Sequence, residues 1–357
     1  MRRFLKAAVP FAGIFVFLLS IELLSHSMKI LGKPFAEKLL TITFNPVVGL
    51  FIGILVTTLV QSSSVTTSLT VGLVAGGAIP IKHAIPIIMG ANIGTTVTNL
   101  LVALFHITRK REFEKAMPAA IVHDFFNVLS VLIFFPLEVI FHPIEIFSNF
   151  LTHLFSTVGG LHIVSPLKII FKPLVKAIGI ICAEKAWIMI PIAVVLLYGS
   201  LKVIVDSTRK LVSARFEILL DKYLFGNPAK AFLIGILFTA TIQSSSVTTS
   251  LVVPLAAAGL LTVEKIYPYT LGANIGTTIT AILASLITQN PYALQAAFSH
   301  LVFNIFGTVV WYPGRRLPIY FAKVFGNVIA KKRYIAIIYP LLIFVVLPLL
   351  FIIFVRR

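Results

Sequence analysis

A nine-residue polar run occurs twice in this chain. Gln61-Ser62-Ser63-Ser64-Val65-Thr66-Thr67-Ser68-Leu69 returns 182 positions later as Gln243-Ser244-Ser245-Ser246-Val247-Thr248-Thr249-Ser250-Leu251. At the same offset, Gly90-Ala91-Asn92-Ile93-Gly94-Thr95-Thr96 returns as Gly272-Ala273-Asn274-Ile275-Gly276-Thr277-Thr278. The two stretches 61–105 and 243–287 align without a gap, at about half identity. Asn45-Pro46 is answered by Asn227-Pro228, and, after a small shift, His123…Asn127 by His300…Asn304. Such register marks a duplication, so the fold must be assembled from two related halves.

The runs stand out because their surroundings are apolar. Of 357 residues, 58% are hydrophobic and 12% charged, about half the charged share of a soluble domain. Apolar stretches of roughly 20 residues recur, enough for helices to cross a bilayer. The short alternating segments of a transmembrane β-barrel are absent. The expectation is an all-α polytopic membrane protein. The net charge of +18 does not read as nucleic-acid binding, because Lys and Arg sit in short segments between apolar spans. That pattern fits cytoplasmic loops and contact with membrane lipids. A single cysteine, Cys182, excludes an internal disulfide and any multi-cysteine metal site. Arg2, Arg3 and Lys6 precede an apolar run too long for a signal peptide, and this reads as a retained first span with a cytoplasmic N-terminus.

Hydropathy predicts spans at about 5–27, 84–107, 116–141, 186–206, 266–289, 293–311 and 335–355. The segments 45–80 and 229–262 hold the polar runs and are expected as re-entrant helical hairpins. Repeat 1 is then 1–141, an interfacial connector 142–185, repeat 2 186–311, and a basic loop with a last helix 312–357. A basic amphipathic stretch at 207–226 is expected at a membrane surface. Three crossings per repeat would invert the second copy. Charge agrees: Arg109-Lys110-Arg111 has the uncharged counterpart Gln289-Asn290-Pro291, and the basic 312–334 loop returns to the cytoplasm. Lys168, Lys172, Lys176, Lys185 and the terminal Arg356-Arg357 run against the scheme, which leaves the side of the C-terminus open.

Broken helix at membrane depth is tolerated only where it lines a cavity or is buried in protein. A helix that restarts at such a break points free N–H groups and its positive end into the cavity, and Ser hydroxyls add donors. This is an oxyanion site with no fixed cation, since no Lys or Arg occurs within 49–81 or 84–108. Carbonyl and hydroxyl oxygens there suit Na+. Gly90-Ala91-Asn92-Ile93-Gly94 reads as a second unwinding point, so each repeat is expected to carry an interrupted transmembrane helix. Asp124, in an apolar span, is a candidate Na+ ligand beside Asn127. Its counterpart is Leu301, so the acid breaks the symmetry. The competing reading pairs Asp124 with a cation of the 109–115 loop. His123 and His300 read as hydrogen-bonded core residues.

The paired Gln-Ser-Ser-Ser runs, the paired Gly-Ala-Asn-Ile-Gly-Thr-Thr runs and His123-Asp124-Phe125-Phe126-Asn127 together resemble the type II sodium-dependent phosphate cotransporter family, most strongly over 45–130 and 227–310. The likeness is to a compact bacterial member without the C-terminal regulatory domain. It implies two inverted-topology repeats and alternating access around a central site. It also implies phosphate contacts from Ser62, Ser63, Ser64, Ser244, Ser245 and Ser246. Sodium sites would be shared by Gln61, Thr66, Asn92, Thr95, Gln243, Thr248, Asn274, Thr277 and Asn304, with Asp124 and Asn127. An acid at Asp124 implies electrogenic transport. The expected protein is not an enzyme and takes no cofactor beyond Na+ as coupling ion. It would sit in the cell inner (plasma) membrane with inorganic phosphate, Na+ and lipids as partners, and a homo-oligomer is left open. Symport of another oxyanion, H+ coupling and an anion channel are the alternatives. A serine hydrolase is disfavoured, because no Gly-x-Ser-x-Gly elbow exists and both copies keep the serines.

Overall fold

Two short apolar helices meeting at a sharp reversal occur once in each half of the molecule, and the longer helices are arranged around them. The structure, a computed structural model, describes residues 2–43, 45–157, 165–219 and 227–355. Among the described residues every regular element is a helix. Among the described residues, seven helices are long and apolar enough to cross a membrane: Val9–Gly32, Ile81–Leu104, Lys110–Phe141, Ala186–Ser207, Val263–Thr288, Pro291–Trp311 and Ile335–Phe354. Many large apolar side chains on their outer faces are exposed, including Leu132, Val195, Val309 and Phe354, as suits contact with lipid.

The chain begins with α1 (Arg2–Thr43), which is kinked at Gly32 two residues before Pro34. The first hairpin is α2 (Pro46–Val60) and α3 (Ser63–Ala75). Asn45 accepts from the Val47 N–H and Pro46 occupies the first turn, an arrangement that starts a helix without an orphan donor. With 15 residues, α2 is about 22 Å long, short of the roughly 30 Å hydrocarbon core. Next come α4 (Ile81–Gly94), α5 (Val97–Leu104), α6 (Lys110–Phe141), α7 (Pro143–Thr157), α8 (Ser165–Ile181) and α9 (Ala186–Leu219). The second hairpin is α10 (Pro228–Ile242), started by Asn227 as α2 is by Asn45, with α11 (Ser245–Ser250) and α12 (Val252–Ala257). Pro254 lacks an N–H for the Ser250 carbonyl and so divides α11 from α12. Gly72 holds the matching position, and α3 is continuous there. The chain ends with α13 (Val263–Thr288), α14 (Pro291–Trp311), α15 (Arg316–Lys331) and α16 (Ile335–Leu341), which passes through a π turn at Leu342–Val346 into α17 (Leu347–Val355).

The halves interlock. Helices α2 and α10 lie along α4 and α13, the long helix that follows each hairpin. The returning arms cross over: α3 packs on α13 and α14, and α11 and α12 pack on α5 and α6. The leading helices α1 and α9 run along each other.

Several expectations change. The Gly-Ala-Asn-Ile-Gly runs do not unwind. They are stripes of small residues on which the hairpin arms sit. A Cβ on Gly90 would lie 1.9 Å from the Leu50 carbonyl oxygen, and one on Gly53 2.0 Å from that of Ile87. The second copy repeats this at 2.0 Å for Gly272 on Phe232 and 2.2 Å for Gly235 on Tyr269. The only interruption comes at Thr95-Thr96, between α4 and α5, and α13 runs unbroken through the matching position. The predicted 5–27 helix continues to Thr43, and the 116–141 helix begins at Lys110. The 142–185 connector holds two helices, α7 and α8, with α7 packed on α14. The 207–226 stretch is not a separate element as far as Leu219, where α9 ends, and 220–226 lie outside the described residues. The 312–334 loop contains α15. Arg356 and Arg357 lie outside the described residues.

This packing makes a direct prediction. Gly90→Ala must push two helix backbones apart and should destabilise the fold by about 3 kcal/mol or more, the upper range of overpacking. Gly199, with nothing within 4 Å of its would-be Cβ, should accept Ala without loss. Thermal unfolding in detergent, followed by monodisperse elution, compares the two. Equal midpoints would remove the argument.

Candidate functional site

Each hairpin turns on a single glutamine. Gln61 and Gln243 close α2 and α10 in the left-handed region, at φ 56° and 59°. For a residue with a Cβ this is disfavoured by roughly 1–2 kcal/mol, and it occurs at both tips. Ser62 and Ser244 follow in extended conformation, and their hydroxyls accept from the N–H groups of Val65 and Val247 at 3.3 Å. Each returning arm is tied to its partner by a threonine pair, Thr57–Thr66 and Thr239–Thr248, both at 2.8 Å. Thr66 and Thr248 are therefore engaged within their own hairpins.

The tips touch. The Ser64 hydroxyl donates to the Gln243 carbonyl at 3.0 Å and lies 3.4 Å from Thr277 Oγ1. Thr95 Oγ1 and Ser246 Oγ share a hydrogen bond of 2.9 Å, and Ser63 donates to Thr95 at 3.3 Å. A cavity of about 520 Å³ opens between the tips, and Gln61, Ser62, Ser64, Gln243, Ser244 and Ser246 form its polar wall. Ser63 and Ser245 are not part of that wall; both are buried behind it. The Gln243 Oε1 and Ser245 Oγ atoms are buried without a hydrogen-bond partner, unusual for native polar groups and open to a ligand. Lys202, on α9, also lines the cavity. The expectation of no fixed cation thus fails, because the charge comes from a helix remote in sequence from both polar runs.

Behind the tips runs a chain of buried amides and imidazoles that alternates between the halves. Thr249 donates to Asn99 Oδ1 at 3.0 Å, and Asn99 Nδ2 meets His123 Nδ1 at 3.3 Å. His123 Nε2 meets Asn274 Oδ1 at 2.7 Å, Asn274 Nδ2 donates to Asn127 Oδ1 at 2.8 Å, and Asn127 Nδ2 donates to the Asn92 carbonyl at 2.9 Å. The Asn99 amide donor at Nδ1 and the Asn274 amide acceptor at Nε2 fix the imidazole as the neutral Nε2–H tautomer. The second copy is incomplete. His300 Nε2 reaches Asn92 Oδ1 only at 3.4 Å, Asn304 turns back to the His300 carbonyl, and His300 Nδ1 and Asn304 Oδ1 have no partner. The position matching Asn99 is Ala281, which has no donor for that ring nitrogen. Asn304 reaches the other candidates only through His300.

Asp124 is buried on α6, 1% exposed. Thr96 donates to its Oδ1 at 3.2 Å, and the Tyr339 hydroxyl, from α16, donates to Oδ2. Among the described residues no cation pairs with it, so the alternative pairing with the 109–115 loop is not formed. The sequence reading missed Tyr339, Asn99 and Lys202. Tyr339 is the only hydroxyl-bearing side chain in 335–355, and Asn99 an amide in an apolar span; both signals were available. Lys202 is a cation inside the predicted 186–206 span, a signal of the same kind as Asp124.

Comparisons with known proteins agree on one family. A family model described as Na+/Pi-cotransporter matches residues 16–163 and 195–329. Sodium-dependent phosphate transport protein 2B of Homo sapiens is 33% identical over 94% of this chain, and so is that of Pongo abelii. Sodium-dependent phosphate transport protein 2A of Ovis aries is 33% identical over 96% of it. The chain spans 63% of the length of the 2B relatives and 67% of that 2A relative. No solved structure matches.

The relay predicts unequal losses. Asn274→Ala orphans both His123 Nε2–H and Asn127 Oδ1, each worth about 1–3 kcal/mol when buried. Asn99→Ala orphans His123 Nδ1 and so reproduces the arrangement already tolerated at His300. Asn274→Ala should therefore lower the unfolding midpoint at least twice as far. A larger loss from Asn99→Ala would contradict the relay.

Proposed function

Because this chain belongs to the Na+/Pi-cotransporter family, we propose that it is a secondary active symporter that couples inward Na+ movement to uptake of inorganic phosphate by alternating access. The observation that carries the reading is the meeting of the two hairpin tips around one cavity with serines from both copies in its wall. Both substrates suit those groups. Ser62, Ser64, Ser244 and Ser246 offer hydroxyl donors to a phosphate oxygen, the α3 and α11 starts add the positive ends of helices, and Lys202 adds a cation at the wall. Ser63 and Ser245, just behind, complete the oxyanion set. The hydroxyl and carbonyl oxygens of Gln61, Thr95, Gln243 and Thr277 are hard donors of the kind Na+ takes, and the unpartnered Gln243 Oε1 is one of them.

Asp124 is the natural second cation site. A carboxylate in a span must be offset, and here two hydroxyls hold it with no counter-charge. Na+ bound there would make transport electrogenic, with Asn127 and Thr96 close by. Thr66, Thr248, Asn92 and Asn274 support the site from behind through the hydrogen bonds described.

The two units 1–141 and 186–311 are read as inverted repeats with re-entrant hairpins. The equal turns at Gln61 and Gln243 and the matched glycine contacts support this. The basic N-terminus and Arg109-Lys110-Arg111 favour a cytoplasmic side for both, in a cell inner membrane.

Radiolabelled phosphate uptake into proteoliposomes, with and without an inward Na+ gradient, tests the function. Uptake is expected only with Na+; equal uptake in choline, or uptake driven by a pH gradient alone, would contradict it. Asp124→Asn should lower the charge moved per phosphate, measured as current against flux under voltage clamp. An unchanged ratio would make Asp124 a structural residue held by Tyr339.

A further inference from the structure

A second cavity lies away from the hairpin tips, where the start of α15 meets the starts of α10 and α13. Its volume is about 550 Å³, and Lys265, Arg315, Arg316 and Lys323 line it with Tyr320 and Asn227. Arg315 and Arg316 lie there side by side with the pair formed by Lys323 and Glu264. Among the described residues neither Arg315 nor Arg316 forms an ion pair, and both are exposed. Such a gathering of like charge is unfavourable unless an anion offsets it.

Two further features define the anion. The 16-residue helix α15 begins at Arg316 with no side-chain cap and no acid in its first turn. The Leu317 N–H is taken by the Gly314 carbonyl and Pro318 has none, so α15 adds the positive end of its dipole to the guanidinium charge at the cavity. Phosphate oxygens match this set, since arginine binds them in bidentate fashion. In addition, the helix turns apolar side chains outward: Leu317, Val324, Phe325 and Val328 are all more than a third exposed, as is Tyr320 at the cavity edge. They recur at helical spacing along one exposed stripe. A helix with cations at one end and an exposed apolar stripe lies in a membrane interface.

We propose that this cavity binds the head group of an anionic phospholipid. The phosphate sits on Arg315, Arg316 and the start of α15, and the acyl chains run along the Leu317–Val328 stripe. The lipid thereby joins α15 to Asn227, the residue that starts the second hairpin. Free phosphate could use the same guanidinium groups but has no use for the apolar stripe, and the stripe decides in favour of lipid.

Native mass spectrometry of the full chain in micelles doped with dioleoyl phosphatidylglycerol or dioleoyl phosphatidylcholine tests this. The wild type should retain phosphatidylglycerol about tenfold more than phosphatidylcholine, and Arg315→Gln/Arg316→Gln should lose most of that preference, as expected for two cations at an anionic surface. Arg315→Lys/Arg316→Lys, which keeps the charge, should retain it. If the Gln pair elutes as aggregate, Arg316→Gln alone is measured and should lose part of the preference. Equal retention in wild type and Gln variants would overturn the proposal, as would equal loss in the Lys and Gln pairs. Displacement of the lipid by millimolar inorganic phosphate would overturn it in favour of a free-phosphate site.

Discussion

Polar groups with no access to water must find partners inside the protein, and in this chain they find them across the two halves. Ser64 meets Gln243, Thr95 meets Ser246, and His123 meets Asn274. None of these bonds could form within one half. Because a buried donor or acceptor left alone is expensive, docking of the other copy supplies bonds that each polar run cannot make by itself. The glycine contacts do the complementary work. They bring α2 onto α4 and α10 onto α13 at backbone distance, which holds each tip at a fixed height against its own long helix.

The repeated sequence runs have matching hairpins, and the departures from that match carry information. Asp124 faces Leu301, Asn99 faces Ala281, and Gly72 faces Pro254. The first half has the acid and the complete relay. The second half has the broken returning arm, an unpartnered His300 Nδ1 and unpartnered oxygens at Gln243, Ser245 and Asn304. A site made of two unlike halves can bind an anion at their junction and hold a cation on one side only. Tyr339 adds a third contribution, because it reaches Asp124 from a helix that belongs to neither duplicated segment.

Much of this was legible before any coordinates. The duplicated runs located the hairpins, and the asparagine–proline starts gave their first residues. The apolar spans gave the long helices to within several residues, although Val9–Gly32 and Lys110–Phe141 run past the hydropathy limits because helix continues into polar flanks. The Gly-Ala-Asn-Ile-Gly runs were misread for a physical reason. Glycine both permits broken backbone and permits close packing, and sequence does not distinguish the two uses. Only the 1.9 Å approach of a Gly90 Cβ to the Leu50 carbonyl decides between them. Lys202 stood out as a cation in a predicted span, but its place beside the tips comes from α9 passing them, a tertiary fact that the span alone does not give. Helix α15 was hidden in a segment whose charges suggested a loop, yet its apolar residues fall at helical spacing.

The central claim is that the two tips make one phosphate site. It is tested most directly by equilibrium binding of labelled phosphate to the purified chain at saturating Na+, with the number bound per chain as the readout. The expected value is one phosphate per chain. Ser64→Ala in one tip and Ser246→Ala in the other should each weaken that same binding about tenfold or more, as for the loss of one hydrogen bond to a charged group. Two phosphates per chain would contradict the account. So would a single phosphate whose affinity responds to changes in only one tip.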